Sequence, residues 1–248
     1  KEVTSMKKII TVLFFLTYIL EAKNLKIMTY NIYGGRLANG TTIGRNIKKF
    51  DPDFISLQEV DYYTKRSNFN DIVKDIAQEL NYSYYYFKKS RDYDSGEFGI
   101  GFVSRYPIEK IFEYELPSIG AEKRQVIAAQ IDEKIFSKKV LIIDTHLDYN
   151  PNIKPKEMEA LLNITAEFPG DVKFLTGDFN LLPTTEYYQQ IIKDWNDTYL
   201  FDEPRIDYIF GDKTNNWNLR SSKFIKDEYL DWSTLSDHFP YMINVDIK

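Results

Sequence analysis

Val172-Lys173-Phe174-Leu175-Thr176-Gly177-Asp178-Phe179-Asn180 is an apolar run that ends abruptly in a carboxylate and an amide. Its first five residues, rich in β-branched and aromatic side chains, predict a buried strand. Asp178 and Asn180 then fall where the strand gives way to a loop. The same arrangement recurs at Thr29-Tyr30-Asn31, Gln58-Glu59, Thr145-His146 and Ser236-Asp237-His238. Strand ends are where a rigid scaffold meets solvent, so polar side chains can converge there without disturbing a core. Each piece alone has an ordinary reading: Asp178-Phe179-Asn180 as a turn, Glu59 as a solvated strand end, Asp237-His238 as a surface pair. The ordered set points to one site.

Working outward, Leu25–Asn31 predicts a strand before the Gly34-Gly35 loop, and residues 42–50 a helix with Ile43, Ile47 and Phe50 on one face. Asp51-Pro52-Asp53 ends that helix, because the residue before proline disfavours helix. Residues 54–60 follow as a strand. Residues 68–80 read as a helix capped by Asn68, with Phe69, Ile72, Ile76 and Leu80 inward. Further strands are expected over 82–88, 100–104, 125–131, 140–145, 207–210 and 241–246, with helices over 155–168 and 184–195. In the first of these two helices Met158, Leu161, Leu162 and Phe168 form the apolar stripe. Tyr84-Tyr85-Tyr86-Phe87 fits a strand better than a base-stacking platform, because no basic groove flanks it. No linker or repeat interrupts residues 24–248, which read as one α+β domain of paired sheets flanked by helices.

Composition removes whole classes of chemistry. The 248 residues include no cysteine, which excludes thiolate catalysis, iron–sulfur clusters, disulfides and cysteine zinc sites. The net charge of −5 argues against a general nucleic-acid coat, which works by neutralising phosphates. It leaves a nuclease open, since clustered carboxylates bind metal and metal binds phosphate. At the N-terminus, Met6-Lys7-Lys8 precedes the uncharged apolar run Ile9–Leu20. Residues 1–23 therefore read as a signal peptide with a few upstream residues, a buried N-terminal helix being the alternative. Export to the envelope or the medium follows from the first reading.

From Leu25 onward the chain resembles the endonuclease/exonuclease/phosphatase superfamily, the group of deoxyribonuclease I, abasic-site endonucleases, neutral sphingomyelinases and inositol polyphosphate 5-phosphatases. The residues that carry the resemblance are Thr29-Tyr30-Asn31-Ile32, Leu57-Gln58-Glu59-Val60, Ser104-Arg105-Tyr106-Pro107-Ile108 and Thr145-His146-Leu147. With them stand Gly177-Asp178-Phe179-Asn180, Arg205-Ile206-Asp207-Tyr208-Ile209 and Ser236-Asp237-His238-Phe239-Pro240. The resemblance implies a four-layer α/β/β/α sandwich with two facing mixed, mainly antiparallel sheets. It also implies roles. Glu59 would bind Mg²⁺ or Mn²⁺, with Asn31 and Asp237 as direct or water-mediated ligands. Asp178 would orient or deprotonate the attacking water, and Asn180 would hold that water or the phosphate. His238 would pair with Asp207, and His146 would donate a hydrogen bond to a phosphate oxygen. Arg124 would contact phosphate, with an exposed strand-end role the alternative; apart from the resemblance, Glu97, just before Phe98-Gly99-Ile100-Gly101, is a candidate to orient His146, with a solvated role the alternative.

The residue types suit this chemistry independently. Magnesium is hard and octahedral and takes one or two carboxylates with waters and substrate phosphate. A carboxylate–amide set without a histidine cluster suits it better than zinc. Phosphoester hydrolysis needs an in-line water and charge neutralisation at the phosphorus and the leaving oxygen, which a metal and imidazolium donors provide. No Gly-x-Ser-x-Gly elbow supports a serine hydrolase. The expected protein is a metal-dependent phosphoester hydrolase, with nucleic acid the leading substrate. Phospholipid, sphingomyelin and sugar or inositol phosphates are the alternatives, and a non-catalytic binding module on the same fold is a remote one. It is expected to be a monomer without an obligate protein partner or a transmembrane helix in the mature chain.

Overall fold

The computed structural model describes residues 22–248; the expected signal peptide lies almost wholly outside them. In chain order the elements are β1 (Lys23–Asn31), α1 (Gly40–Ile47), β2 (Phe54–Tyr62), α2 (Ile72–Leu80), β3 (Tyr84–Tyr93), β4 (Gly96–Ser104) and β5 (Ile108–Glu115). They continue with β6 (Gln125–Ile131), α3 (Glu133–Phe136), β7 (Val140–His146), α4 (Lys154–Glu167), β8 (Val172–Asp178) and α5 (Glu186–Asp194). The last four are β9 (Trp195–Asp197), β10 (Asp207–Asp212), β11 (Trp217–Phe224) and β12 (Tyr241–Ile247).

Two six-stranded sheets result, ordered β11-β12-β1-β2-β4-β3 and β5-β6-β7-β8-β10-β9. Each contains one parallel pair, β1 with β2 and β7 with β8, and is otherwise antiparallel. Alternation along the central strands decides the layering. Leu25 and Ile27 of β1 join Ile142, Phe174 and Ile209 of the other sheet in a shared core. Met28 and Tyr30, one residue out of phase, pack with Ile43, Ile47, Ile72 and Ile76 of α1 and α2. On the far side Ile143, Leu175 and Phe210 pack with Met158, Leu161 and Ile191 of α4 and α5. Side-chain direction reverses at every residue of a strand, so a strand with both faces covered must be apolar throughout. The expected four-layer sandwich is the observed one.

Three local expectations are corrected. The second helix starts at Ile72, not near Asn68, because Asp71 is its cap, accepting from the Lys74 N–H at 3.0 Å. Asn68 and Phe69 instead sit at left-handed φ in a turn closed by Phe69 N–H to the Thr64 carbonyl at 2.8 Å. Phe69 consequently stands 55% exposed. The fifth helix stops at Asp194, and Trp195 opens β9. Sequence reading also missed β5 and β11, sheet edges that bury too little of either face to enforce an apolar pattern. No helix among the described residues is long and apolar enough to cross a membrane.

Candidate active site

The second sheet aligns three candidate residues by register alone. His146 ends β7 beside Asp178 at the end of the parallel strand β8, and Asp178 is in turn paired with Asp207 at the start of β10. Gly177 permits this alignment: its φ is 136°, and a Cβ there would lie 1.9 Å from the Thr145 carbonyl oxygen. Only glycine tolerates both the conformation and the approach.

The first sheet supplies the opposite wall. The β2–β4 ladder slips between Leu57 and Val60, and Glu59 adopts a φ of 52°. A bulge of this kind re-aims a side chain. Here it turns Glu59 toward Asn31, whose Nδ2 donates to Glu59 Oε1 at 3.3 Å and to Asp178 Oδ2 at 3.0 Å. Gln58, the residue before, is fully buried, donates to Asp144 Oδ1 at 2.6 Å and so ties the two sheets together. The loop ahead of β12 closes the site. Ser236 Oγ donates to the Asn31 carbonyl at 2.7 Å and accepts from the His238 N–H at 3.2 Å.

Asp178 Oδ2 is the meeting point. Besides Asn31, it faces His146 Nε2 at 3.6 Å and His238 Nε2 at 3.7 Å. Its other oxygen accepts from the Asn180 N–H at 2.9 Å. Asn180 Nδ2 reaches the Leu147 carbonyl at 3.0 Å and His146 Nε2 at 3.3 Å. His238 Nδ1 lies 2.8 Å from Asp207 Oδ2. The structure thus brings together Asn31, Glu59, His146, Asp178, Asn180, Asp207 and His238, with Asp237 beside them in the chain.

A sequence profile of the endonuclease/exonuclease/phosphatase family matches residues 28–238, a span that contains every one of these residues. The chain belongs to that family. The uncharacterised protein YbhP of Escherichia coli strain K12 is 24% identical over 174 residues, 63% of this chain and 67% of YbhP. An endonuclease/exonuclease/phosphatase of Beutenbergia cavernae superposes with a TM-score of 0.73 at 18% identity, covering 90% of this chain and 72% of that one. The mannosyl-6-phosphatase Bt3783 of Bacteroides thetaiotaomicron gives 0.69 at 20% identity, covering 89% and 99%. At such identities these likenesses speak for the fold alone.

Members of the endonuclease/exonuclease/phosphatase family are typically hydrolases and generally depend on a divalent metal. The donors fit one. Glu59 is pushed up from the usual carboxylate range by burial, then eased by its Asn31 hydrogen bond and raised again by the charge of Asp237. Among the described residues no lysine or arginine forms an ion pair with Glu59 or Asp237. Glu59 and Asp237, close enough for one charge to raise the other, offer the carboxylate oxygens that a hard cation prefers, while Asn31 turns its amide nitrogen to Glu59 and its oxygen to the Tyr33 N–H at 3.1 Å. Asp178, Asp207 and His238 also gather ligand atoms within 4.8 Å. In that group, however, the His238–Asp207 hydrogen bond already occupies one ring nitrogen.

Electrostatics divides the histidines. Burial lowers His238, but the Asp207 hydrogen bond and the charges of Asp207, Asp178 and Asp237 outweigh it and lift its pKa to about 10. His238 is therefore an imidazolium at neutral pH. Burial pushes His146 well below the ordinary histidine range, and the charges of Arg124, His238 and Lys154 add to that. His146 is a neutral ring, so it does not provide the cationic donor that sequence chemistry suggested. Asp178 is raised by burial and by the charge of Asp207, against the lowering effect of His238. A raised carboxylate is a better proton acceptor.

Two expectations need revision. Arg124 is neither an exposed strand end nor a free phosphate contact: it is buried, 2.6 Å from Glu122 and 3.7 Å from Asp148. Glu97 makes no bond to His146. It lies opposite Tyr62 at the start of β4 and pairs with Lys89 at 3.3 Å across the β3–β4 hairpin. Asn180 and Asp178 take the place beside the ring that sequence reading gave to Glu97. Met158 is a core residue, as its place in the apolar stripe suggested. The polar residues that sequence reading missed are Lys154 and Glu157. Their signal was a charged pair at i, i+3 on the stripe that also carries Met158 and Leu161.

Proposed function

We propose that this protein is a divalent-metal-dependent phosphoester hydrolase that splits a P–O bond by in-line attack of water. The observation that carries this reading is the single carboxylate oxygen of Asp178 set among Asn31, His146 and His238, with His238 fixed by Asp207. Water attacks phosphorus as Asp178 takes its proton, while the bond from phosphorus to the leaving oxygen breaks. His238, charged and aimed by Asp207, donates to the developing charge, the orienting logic of a carboxylate behind an imidazole. Asn180 holds water or a phosphate oxygen, and the neutral His146 fixes the Asn180 amide. When bound, Mg²⁺ or Mn²⁺ held by Glu59 and Asp237, with Asn31, neutralises phosphate charge.

The loops after Asn180 and before Asp207 favour a compact phosphoester over a long polyanion. A cavity of about 390 Å³ between the loops after Asn180 and before Asp207 is walled by Leu182, Pro183, Phe201, Asp202 and Glu203. The only cation in its wall, Arg205, is paired with Asp197. Arg124 is likewise engaged by acids. Tracking a nucleic-acid backbone needs several free cations, whereas a single phosphoester with an uncharged organic part does not. The apolar start of the chain, Ile9–Leu20, supports placing the enzyme beyond the cytoplasmic membrane.

The test is hydrolysis of 4-nitrophenyl phosphate, bis(4-nitrophenyl) phosphate, sphingomyelin, phosphatidylcholine, sugar and inositol phosphates, DNA and RNA, each with Mg²⁺, Mn²⁺ or EDTA. Turnover of a small or lipid phosphoester, abolished by EDTA, is expected. Activity that survives EDTA overturns the metal-dependent mechanism, and activity confined to nucleic acids overturns the substrate class.

A further inference from the structure

Behind His146 lies a buried charged cluster that the proposed chemistry does not use. Lys154 and Glu157 occupy the inner face of the first turn of α4 and are 3% and 0% exposed. Lys154 Nζ donates to the Asp148 carbonyl and, at 3.0 Å, to the Phe179 carbonyl, with Glu157 Oε2 3.6 Å away. Both Glu157 oxygens accept from the Asp148 N–H, at 2.9 and 3.1 Å. Asp148 Oδ1 accepts from the Asn150 N–H at 2.9 Å, and its Oδ2 faces Arg124.

Burying an ammonium and a carboxylate is expensive, and apolar residues would fill a helix face at lower cost. The groups they hold suggest why they are there. Asp148 is two residues beyond His146, and Phe179 sits between Asp178 and Asn180, so one ammonium bridges the two loops that carry these side chains. Two shorter links lie alongside: Leu147 N–H to the Asp178 carbonyl at 2.9 Å, and Asn180 Nδ2 to the Leu147 carbonyl at 3.0 Å. All of these bonds involve backbone, so they act on spacing rather than on side-chain chemistry.

We infer that Lys154 and Glu157 are positioning residues, a buried clamp that sets the distance of His146 from Asp178 and Asn180. The inference rests on the assignment of those three residues to the reaction. A misplacement of about 1 Å at a reacting group can lower a rate about 100-fold.

The chain has only two histidines, so the imidazole NMR spectrum of the metal-free protein contains two rings, assigned by His146→Gln. Lys154→Met is expected to move or broaden the His146 resonances while leaving those of His238 in place. Its kcat should fall about 10–100-fold with KM nearly unchanged. Glu157→Leu should behave alike, whereas Glu157→Gln keeps one acceptor for the Asp148 N–H and should stay within about fivefold of wild type. Should Lys154→Met not fold, the contrast between the two Glu157 variants still decides the matter. Wild-type His146 resonances and wild-type kcat in folded Lys154→Met or Glu157→Leu overturn the clamp. The NMR measurement needs no turnover, so it distinguishes failure of the clamp from failure of the hydrolase reading.

Discussion

His146 ends a strand buried along its whole length, while His238, its side chain 15% exposed, stands in the loop ahead of β12. Both ring Nε2 atoms approach the same oxygen of Asp178, at 3.6 and 3.7 Å. Their protonation states are nevertheless opposite. His238 has a carboxylate bonded to its far nitrogen and two further acids nearby, whereas His146 is lowered first by burial and then by the charges of Arg124, His238 and Lys154. One type of side chain thus fills two roles, a fixed cation and a neutral packing and hydrogen-bonding ring, according to whether acids outweigh burial or cations add to it.

That division is broken or upheld first by His238→Ala, which removes the charged donor. We expect kcat/KM to fall about 1,000–10,000-fold on whichever phosphoester the enzyme turns over, consistent with loss of general acid catalysis plus charge stabilisation. His146→Ala should fall by less, about 100-fold, because a neutral ring contributes through position. Should His146→Ala prove the more damaging, the cationic role belongs to the wrong histidine. Loss below tenfold in either variant, about 1.4 kcal/mol, removes that ring from the reaction altogether.

Asp207→Asn sharpens the comparison with a smaller effect. The amide keeps the shape but removes the charge that holds His238 protonated, so its pKa should drop from about 10 toward the ordinary value near 6.5. At pH 6 most of the imidazolium survives, and activity should remain within about tenfold of wild type; at pH 8.5 the deficit should widen to about 100-fold. A pH–rate profile parallel to that of wild type contradicts the His238–Asp207 charge argument.

How much of this could be read in the sequence follows the same physics. The fold was legible because central strands buried on both faces read as continuous apolar runs, as in Val172–Asp178, and amphipathic helices obey a period of 3.6 residues, as in Ile72–Leu80. β5 and β11 were not, since these edge strands are spared the burial that makes a central strand apolar. Asp71 was overlooked as a cap because Asn68 offered the same chemistry three residues earlier. The site residues were legible as short motifs at strand ends, and register then aligned His146, Asp178 and Asp207. Partnerships were less so. Glu97 was a reasonable carboxylate for His146 by sequence, yet its strand carries it to Lys89. Spacing along the chain reports which face a side chain occupies; which group lies across from it depends on how the sheets stack. Lys154 and Glu157 passed unnoticed because a helix of charged residues ordinarily turns them to solvent.

The smallest expected effect is on stability, and there the two histidines should act in separate pH windows. Lowered in the folded state, His146 contributes stability that is complete above its unfolded pKa near 6.5 and is lost as pH falls, because the unfolded chain then takes up the proton first. Raised in the folded state, His238 contributes stability that is complete below pH about 6.5 and is lost as pH climbs toward about 10. Melting curves of metal-free protein from pH 5 to 9 should show this as differences from wild type. His146→Gln, which has no proton to take up, should lose relative stability least at pH 5 and most above pH 7. Asp207→Asn should be most destabilised at the acid end and approach wild type by pH 9. Each kcal/mol corresponds to about 2–4 °C in a chain of this size, and the two trends run in opposite directions. Parallel trends would mean that the two rings share one electrostatic environment, and the contrast drawn from their neighbours would fall with them.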